Sequence, residues 1–289
     1  MSRIVFFFIW LIQFLPLAAQ AAIGNVAGWV LYWLIAERRR VTRINLAKCF
    51  PHLSGRERER LSQAHFRIFV RSFIERGILR WSSPERLEEL VRVEGIEHLS
   101  ALEGKPVVML APHFVGVEAG GLRLAMNRKM VTMFSRQKDP AFDRFLYRYR
   151  TRFGGLAVSR QEGYRKAIRA IKGGWPYYYM PDLDFGPKRS LFVPFFNVPA
   201  ATVTGLSYIA RLTKAAVLPC VTRMLPGGRG YVIRLYPAWT DFPSGDEAAD
   251  TRRMMAFIEE RVLEMPEQYF WAHKRFKTRP PGERSPYER

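Results

Sequence analysis

Between Arg3 and Glu37 the chain carries no charged side chain, so this stretch must find an apolar environment. About 20 apolar residues in a helix cross a bilayer. The stretch is longer than that, and Pro16, Gly24 and Asn25 interrupt it. It predicts either one kinked span or a helix followed by a second helix lying in the interface. Trp10, Trp29, Tyr32 and Trp33 are residues of the kind that gathers at membrane–water boundaries. Arg38-Arg39-Arg40, Arg43 and Lys48 follow at once. A basic cluster beside an apolar span marks the cytoplasmic side and attracts anionic headgroups. A cleaved signal peptide would also show Arg3, an apolar run and Ala19-Gln20-Ala21. A second apolar stretch over 26–36 continues past that point and argues against cleavage. The expectation is an anchor over residues 1–36 and a cytoplasmic-face domain over residues 37–289.

Ser54 can cap a helix over 56–80. Leu61, Phe66, Phe69, Val70, Phe73 and Ile74 give it an apolar stripe at helical spacing. Its other face is basic, and either solvent or a membrane surface could meet it. From residue 91 onward, short β-like runs alternate with helical ones. Strands are expected at 107–110, 130–134, 156–158, 177–180, 216–223 and 231–236. Helices are expected near 117–127, 141–152, 162–172, 202–213 and 246–264. Such alternation implies an α/β fold, a mixed and mostly parallel sheet flanked by helices. No repeat or low-complexity linker interrupts it. After Pro266 the tail is aromatic and basic, then Pro-rich, and reads as loose.

Lys and Arg number 46 against 26 Asp and Glu, a formal net charge of +20. A field of that sign draws polyanions: nucleic acid, an anionic membrane surface, or an acidic or phosphorylated partner. Cys49 and Cys220 form no C-x-x-C pair, and no zinc or redox motif is present.

Chemistry concentrates in Val107–Gly121. An apolar strand ends at Ala111-Pro112 and His113 follows, at the strand end where open α/β sheets bind ligands. Glu118 would fall in the first turn of the next helix, where the helix terminus favours its charge. From there it could accept a hydrogen bond from the imidazole and fix its tautomer. A histidine held in that way can serve as general base for a hydroxyl, although a His and a carboxylate at this spacing also fit a purely structural histidine. Asp182 and Asp184 flank a turn with Pro181, Gly186 and Pro187, and turn aspartates commonly cap their own backbone. No third ligand is spaced to complete a metal site with them.

H-x-x-x-x-[DE] after an apolar strand is similar to the signature of glycerolipid acyltransferases. The chain resembles more closely the late acyltransferases of lipid A biosynthesis, the lauroyl and myristoyl transferases of Gram-negative inner membranes, with the lauroyl-type enzymes of β-proteobacteria nearest. The likeness runs through Arg38-Arg39-Arg40, Ile44–Phe50, Pro112-His113-Phe114 with Glu118, Pro181–Gly186, Phe192–Phe196 and Pro266–Pro280.

The resemblance implies a glycerolipid-acyltransferase-like fold with His113 as general base and Glu118 as its carboxylate partner. It implies a functional arginine, for which Arg152 fits best and Arg150 next, and a functional aspartate at Asp184. Leu183 departs from the polar residue frequent between the two aspartates and affects how that loop is held. It also implies an acyl carrier protein as donor and a phosphorylated glycolipid of Kdo-lipid IVA type as acceptor. The location implied is the cytoplasmic side of the bacterial inner membrane, and no cofactor or metal is implied. Among the basic residues around the site, Arg136, Arg150, Arg160 and Lys188 are the candidates for gripping substrate phosphate. The aromatic runs Trp175–Tyr179 and Phe192–Phe196 read mainly as core, with some members free to line an acyl pocket. His52, His65, His98 and His273 read as structural. Three rivals remain: acylation of a lysophospholipid or ornithine lipid, a membrane-anchored nucleic-acid-binding protein without a recognisable binding motif, and a non-catalytic scaffold.

Overall fold

The computed structural model describes residues 2–288. Its strands are β1 (Val91–Glu94), β2 (Val107–Leu110), β3 (Val131–Phe134), β4 (Leu156–Ser159), β5 (Tyr177–Tyr179), β6 (Ser190–Phe195), β7 (Val198–Val203), β8 (Ala216–Met224) and β9 (Tyr231–Leu235). Its helices are α1 (Ser2–Ile12), α2 (Leu17–Leu34), α3 (Ala36–Cys49), α4 (Gly55–Ile74), α5 (Arg76–Trp81), α6 (Pro84–Leu90), α7 (Ile96–Ser100), α8 (Val117–Ala125), α9 (Pro140–Arg150), α10 (Arg165–Lys172), α11 (Gly205–Thr213) and α12 (Glu247–Glu264).

Seven strands form one sheet in the order β1-β9-β8-β2-β5-β3-β4. From β8 to β4 every neighbour is parallel, while β9 runs antiparallel to β8 and β1 lies parallel to β9. The mixed, mostly parallel sheet is therefore present as expected. All four residues of β2 are buried, as a central strand covered on both faces requires. Period-two alternation sorts them: Val108 and Leu110 join one core with Tyr177, Tyr179 and Val217, and Val107 and Met109 join the other with Tyr178 and Leu218.

β1 and the β6–β7 hairpin were not foreseen, and the helix expected from 202 begins at Gly205 because Val198–Val203 is strand. Pro194 and Pro199 disguise the hairpin. They sit opposite each other in a two-stranded ribbon, which tolerates the missing donors. Phe196 and Asn197 both take positive φ at its tight turn.

The apolar N-terminus is two helices, broken before Pro16. By length and composition α2 could cross a membrane, with 28% of it buried inside the protein. Gly24 and Gly28 let it cross α4 closely: a Cβ at Gly24 would stand 2.6 Å from the Arg71 Cα, and one at Gly28 2.5 Å from the Arg67 Cα. α1 packs on α5 and α9, with the Phe6 ring stacked 4.7 Å from that of Phe145.

The helix expected over 56–80 pauses at Glu75 and resumes as α5. Ser54 does cap it, in a reciprocal capping box with Glu57. Its apolar stripe is covered from within, Phe66 by Tyr32 and Phe69 by Phe270.

The tail after Pro266 is not loose. Trp271, Arg275 and Phe276 are fully buried. The Arg275 guanidinium donates to the Ala201 carbonyl at 2.8 Å and to Thr202 Oγ1 at 2.6 Å. Asn45 Nδ2 holds the carbonyls of Trp271 and His273, each at 2.7 Å. Proline and charge suggested a free tail, but long-range polar contacts fix it.

Candidate active site

β2 and β5 are hydrogen-bonded neighbours, so the residues just beyond their carboxyl ends meet. One is His113 and the other is Asp182. The Ala111 N–H extends the ladder to the Tyr179 carbonyl at 2.9 Å. His113–Val115 then runs beside the C-terminal segment. The Phe270 N–H donates to the His113 carbonyl at 3.1 Å, and the Val115 N–H donates to the Gln268 carbonyl at 2.9 Å. An isolated antiparallel bridge joins Phe114 to Tyr269 between them. The His113 ring lies near-parallel to Phe270 at 6.5 Å.

The Asp182 carboxylate is fully buried and accepts twice from His113. The backbone N–H lies 3.1 and 3.2 Å from its two oxygens, and imidazole Nδ1 lies 2.7 Å from Oδ1. Burial pushes the Asp182 pKa up, but His113 beside it prevails and holds the carboxyl below its ordinary value. An ionised carboxylate only accepts, so the shared hydrogen sits on Nδ1, and in the neutral ring this leaves the lone pair to Nε2. That is the state a general base needs.

Glu118 is not the imidazole's carboxylate. The bridge to Tyr269 carries the chain away before α8 begins, and α8 presents Glu118 to the end of α9 instead. There it forms an ion pair with Arg150: Nε donates to Oε2 at 3.2 Å, and Nη2 donates to Oε1. Only 16% of the Glu118 side chain and 14% of Arg150 are exposed. Burial would raise the Glu118 pKa, but Arg150 reverses this and lowers it to about 2.

His113, Glu118 and Arg150 face one cleft of about 590 Å³. Its walls are mainly apolar and rich in aromatic rings, with Phe73, Phe134, Phe142, Tyr164, Tyr177 and Tyr179 among them. A cleft of that size and lining suits an apolar chain. Among the described residues, no cluster of three or more His, Cys, Asp or Glu could hold a metal ion.

The family model for the bacterial lipid A biosynthesis acyltransferases matches residues 2–278. The chain is 30% identical over 282 residues to the lipid A biosynthesis lauroyltransferase of Escherichia coli, covering 96% of this chain and 92% of that one. It is 33% identical over 272 residues to the myristoyltransferase of the same organism, covering 93% and 83%. It is 31% identical over 281 residues to a lipid A biosynthesis acyltransferase of Haemophilus influenzae, covering 96% and 87%. The chain belongs to this family. It is an acyltransferase of lipid A synthesis, and its acceptor is a glycolipid.

The remaining expected residues of this acyltransferase fall at different distances from its cleft. Arg152 points away. Its guanidinium donates to the Leu79 carbonyl at 3.0 Å and to the Ser82 carbonyl, closing the end of α5. It lies two positions past Arg150, and two positions on a helical turn face opposite sides. Asp184 is a turn cap: its carboxylate accepts from the Gly186 N–H at 2.9 Å and from the N–H and hydroxyl of Thr278 at 2.7 and 2.9 Å. The aspartate that reaches the histidine is Asp182. Leu183, between the two, lines the cleft.

Arg160 lines it too, with its guanidinium 4.2 Å above the Phe185 ring. Arg136 is exposed, 3.9 Å from Glu162, and flanked by the lining residues Ser135 and Gln137. Lys188 is exposed in the turn before β6 and is not part of the lining. His273, read as structural, lies in the cleft wall, where burial and the neighbouring His113 lower its pKa to about 4.

Proposed function

We propose that the enzyme moves a fatty acyl group, lauroyl or similar, from an acyl carrier protein thioester to a hydroxyl of a phosphorylated lipid A precursor of Kdo-lipid IVA type. The observation that carries the mechanism is the imidazole of His113, locked by Asp182 at the head of an aromatic cleft. Nε2 removes the proton of the acceptor hydroxyl while Asp182 steadies the imidazolium that forms. The oxygen attacks the thioester carbonyl and gives a tetrahedral oxyanion. Arg150 supports that charge with the N–H groups that Glu118 leaves free, and Glu118 holds its guanidinium in place. The C–S bond then breaks, and the proton on Nε2 passes to the departing thiolate. No covalent acyl-enzyme is needed. The apolar α1 and α2 hold the enzyme at the membrane, and Arg38–Arg40 sets the catalytic domain on the cytoplasmic side.

The test is transfer from lauroyl- and myristoyl-carrier protein to a tetra-acylated, Kdo-bearing precursor by the full chain in detergent. The expected result is transfer by wild type that falls by about three orders of magnitude or more in a folded His113→Ala variant. Transfer that survives in that variant would sink the mechanism. Transfer to a lysophospholipid and not to the precursor would keep the chemistry and replace the acceptor.

A further inference from the structure

Among the described residues, the charged side chains of the cleft wall are one carboxylate, Glu118, and three guanidiniums, those of Arg76, Arg150 and Arg160. Glu118 is taken by Arg150. Among the described residues, neither of the other two guanidiniums has a hydrogen bond or ion pair. Each lies over a ring, Arg76 at 5.1 Å from the centre of Phe73 and Arg160 at 4.2 Å from that of Phe185. Arg76 is partly buried and close enough to Glu118 and Tyr149 to couple with them electrostatically. A partly desolvated cation among aromatic side chains, with no acid bonded to it, costs stability in the empty site. An anionic ligand would supply the missing partner.

The position of Arg76 narrows the choice of ligand. Arg76 belongs to α5, which packs against α1: a Cβ on the adjacent Gly77 would stand 2.7 Å from the Ile9 carbonyl oxygen. α1 exposes Ile4, Phe7, Phe8 and Leu11. The guanidinium thus lies in an aromatic cleft next to an apolar outer surface, where a lipid with a charged head would enter. We infer that Arg76 is a phosphoryl-binding residue that grips a phosphate of the lipid acceptor, with Arg160 as the second unpaired cation of the same cleft. Guanidinium and phosphate match as two parallel hydrogen bonds. The inference rests on the phosphorylated acceptor proposed above. The other source of the same chemistry is the phosphate in the prosthetic arm of the carrier.

The experiment measures steady-state kinetics of the full chain in detergent, wild type against Arg76→Gln and Arg76→Lys. It uses acceptors that carry or lack each phosphate. Arg76→Gln should raise the acceptor KM about 10- to 100-fold, with kcat within about threefold. Arg76→Lys should recover part of the loss. With the acceptor that lacks the gripped phosphate, wild type and Arg76→Gln should have the same KM. A rise in the donor KM alone would move the phosphate to the carrier and overturn the lipid assignment. A fall in kcat alone would overturn phosphate binding altogether. The melting temperature of Arg76→Gln should not fall by much, because no described residue hydrogen-bonds or ion-pairs with Arg76; a large fall would show a structural partner of Glu118 and overturn the inference. Equilibrium binding of the same lipids needs no turnover and so separates this inference from the proposed reaction. A phosphate-dependent difference of tenfold or more between the two proteins upholds it even without transfer, and equal binding sinks it even with transfer.

Discussion

Asp182 and Glu118 stand within one site, and each pairs with a nitrogen base, yet the two pairs are built differently. Asp182 is fully buried and holds, through Nδ1, a ring that is 21% exposed, so Nε2 is left to meet a substrate. Glu118 and Arg150 are nearly equally covered, and each offsets the charge of the other. A carboxylate on an imidazole leaves a proton-transfer group ready at neutral pH. A carboxylate on a guanidinium leaves none, because arginine does not give up its proton. The first pair can do acid–base chemistry. The second can position charge and hold α8 to α9.

The largest effect expected from breaking this contrast is on Asp182→Asn. The amide would donate to Nδ1 instead of accepting from it, so the hydrogen would move to Nε2 and remove the base. Transfer should drop about 10⁴-fold in kcat while the secondary structure persists, as a wrong tautomer predicts. A folded Asp182→Asn enzyme within tenfold of wild type would remove Asp182 from the mechanism.

Glu118→Gln should act first on stability. It leaves the largely buried Arg150 without its counter-charge, a loss of about 3–5 kcal/mol for a fully buried pair and less for these partly exposed side chains. The double variant Glu118→Gln/Arg150→Gln should recover much of that stability and none of the transfer rate. Denaturant melts and kcat for the four proteins of the cycle check this. If transfer returns with stability, the pair is scaffolding alone.

The difference between the two pairs also explains what could be read from the sequence. His113 at the end of a strand was legible because an apolar run followed by Pro-His is a local pattern. Its partner was not, because Asp182 reaches it only through the pairing of β2 with β5, which no local pattern states. The local signal is the Pro181-Asp182 that follows a strand, but Glu118 offers a competing carboxylate much nearer to His113 in sequence. The central sheet was legible for the same reason as His113, since its runs are short, apolar and separated by helices. The β6–β7 hairpin and the ordered tail were not: prolines obscured the first, and the buried contacts of Arg275 and Asn45 tie the second to distant parts of the chain.

Acid titration sharpens the contrast by separating pH windows. The folded-state pKa of Glu118 is depressed, so the stability it contributes is complete above its ordinary 4.5 and lost as pH falls toward about 2. His65 is fully buried, and burial lowers its pKa from 6.5 to about 4. The unfolded chain therefore takes up that proton first, and stability falls as pH drops from 6.5 toward 4. The shift corresponds to about 3 kcal/mol. Loss between pH 6.5 and 4.5 should thus come from histidines, and His65→Gln should flatten it in melts read across that range, while Glu118→Gln should alter only the part below. Unchanged curvature in His65→Gln would mean that the ring charges without cost.

The smallest effect on transfer should come from Arg152→Gln, the variant that best separates sequence pattern from placement. The family resemblance implies Arg152 as the functional arginine, with Arg150 next, whereas the fold spends the Arg152 guanidinium on the carbonyls of Leu79 and Ser82. Those carbonyls lie at the end of α5, whose other end carries the cleft residue Arg76. The variant should lose about 1–2 kcal/mol of stability, in line with lost hydrogen bonds from a charged donor. Its kcat should stay within about threefold of wild type, because neither Arg152 nor its partners Leu79 and Ser82 are among the residues that line the cleft. Arg150→Gln, measured beside it, should lose transfer on the order of 10²-fold, the usual consequence of removing one donor to a developing oxyanion. If the two variants exchange these outcomes, the two-residue offset at the end of α9 is misplaced, and the Glu118–Arg150 half of the comparison falls with it.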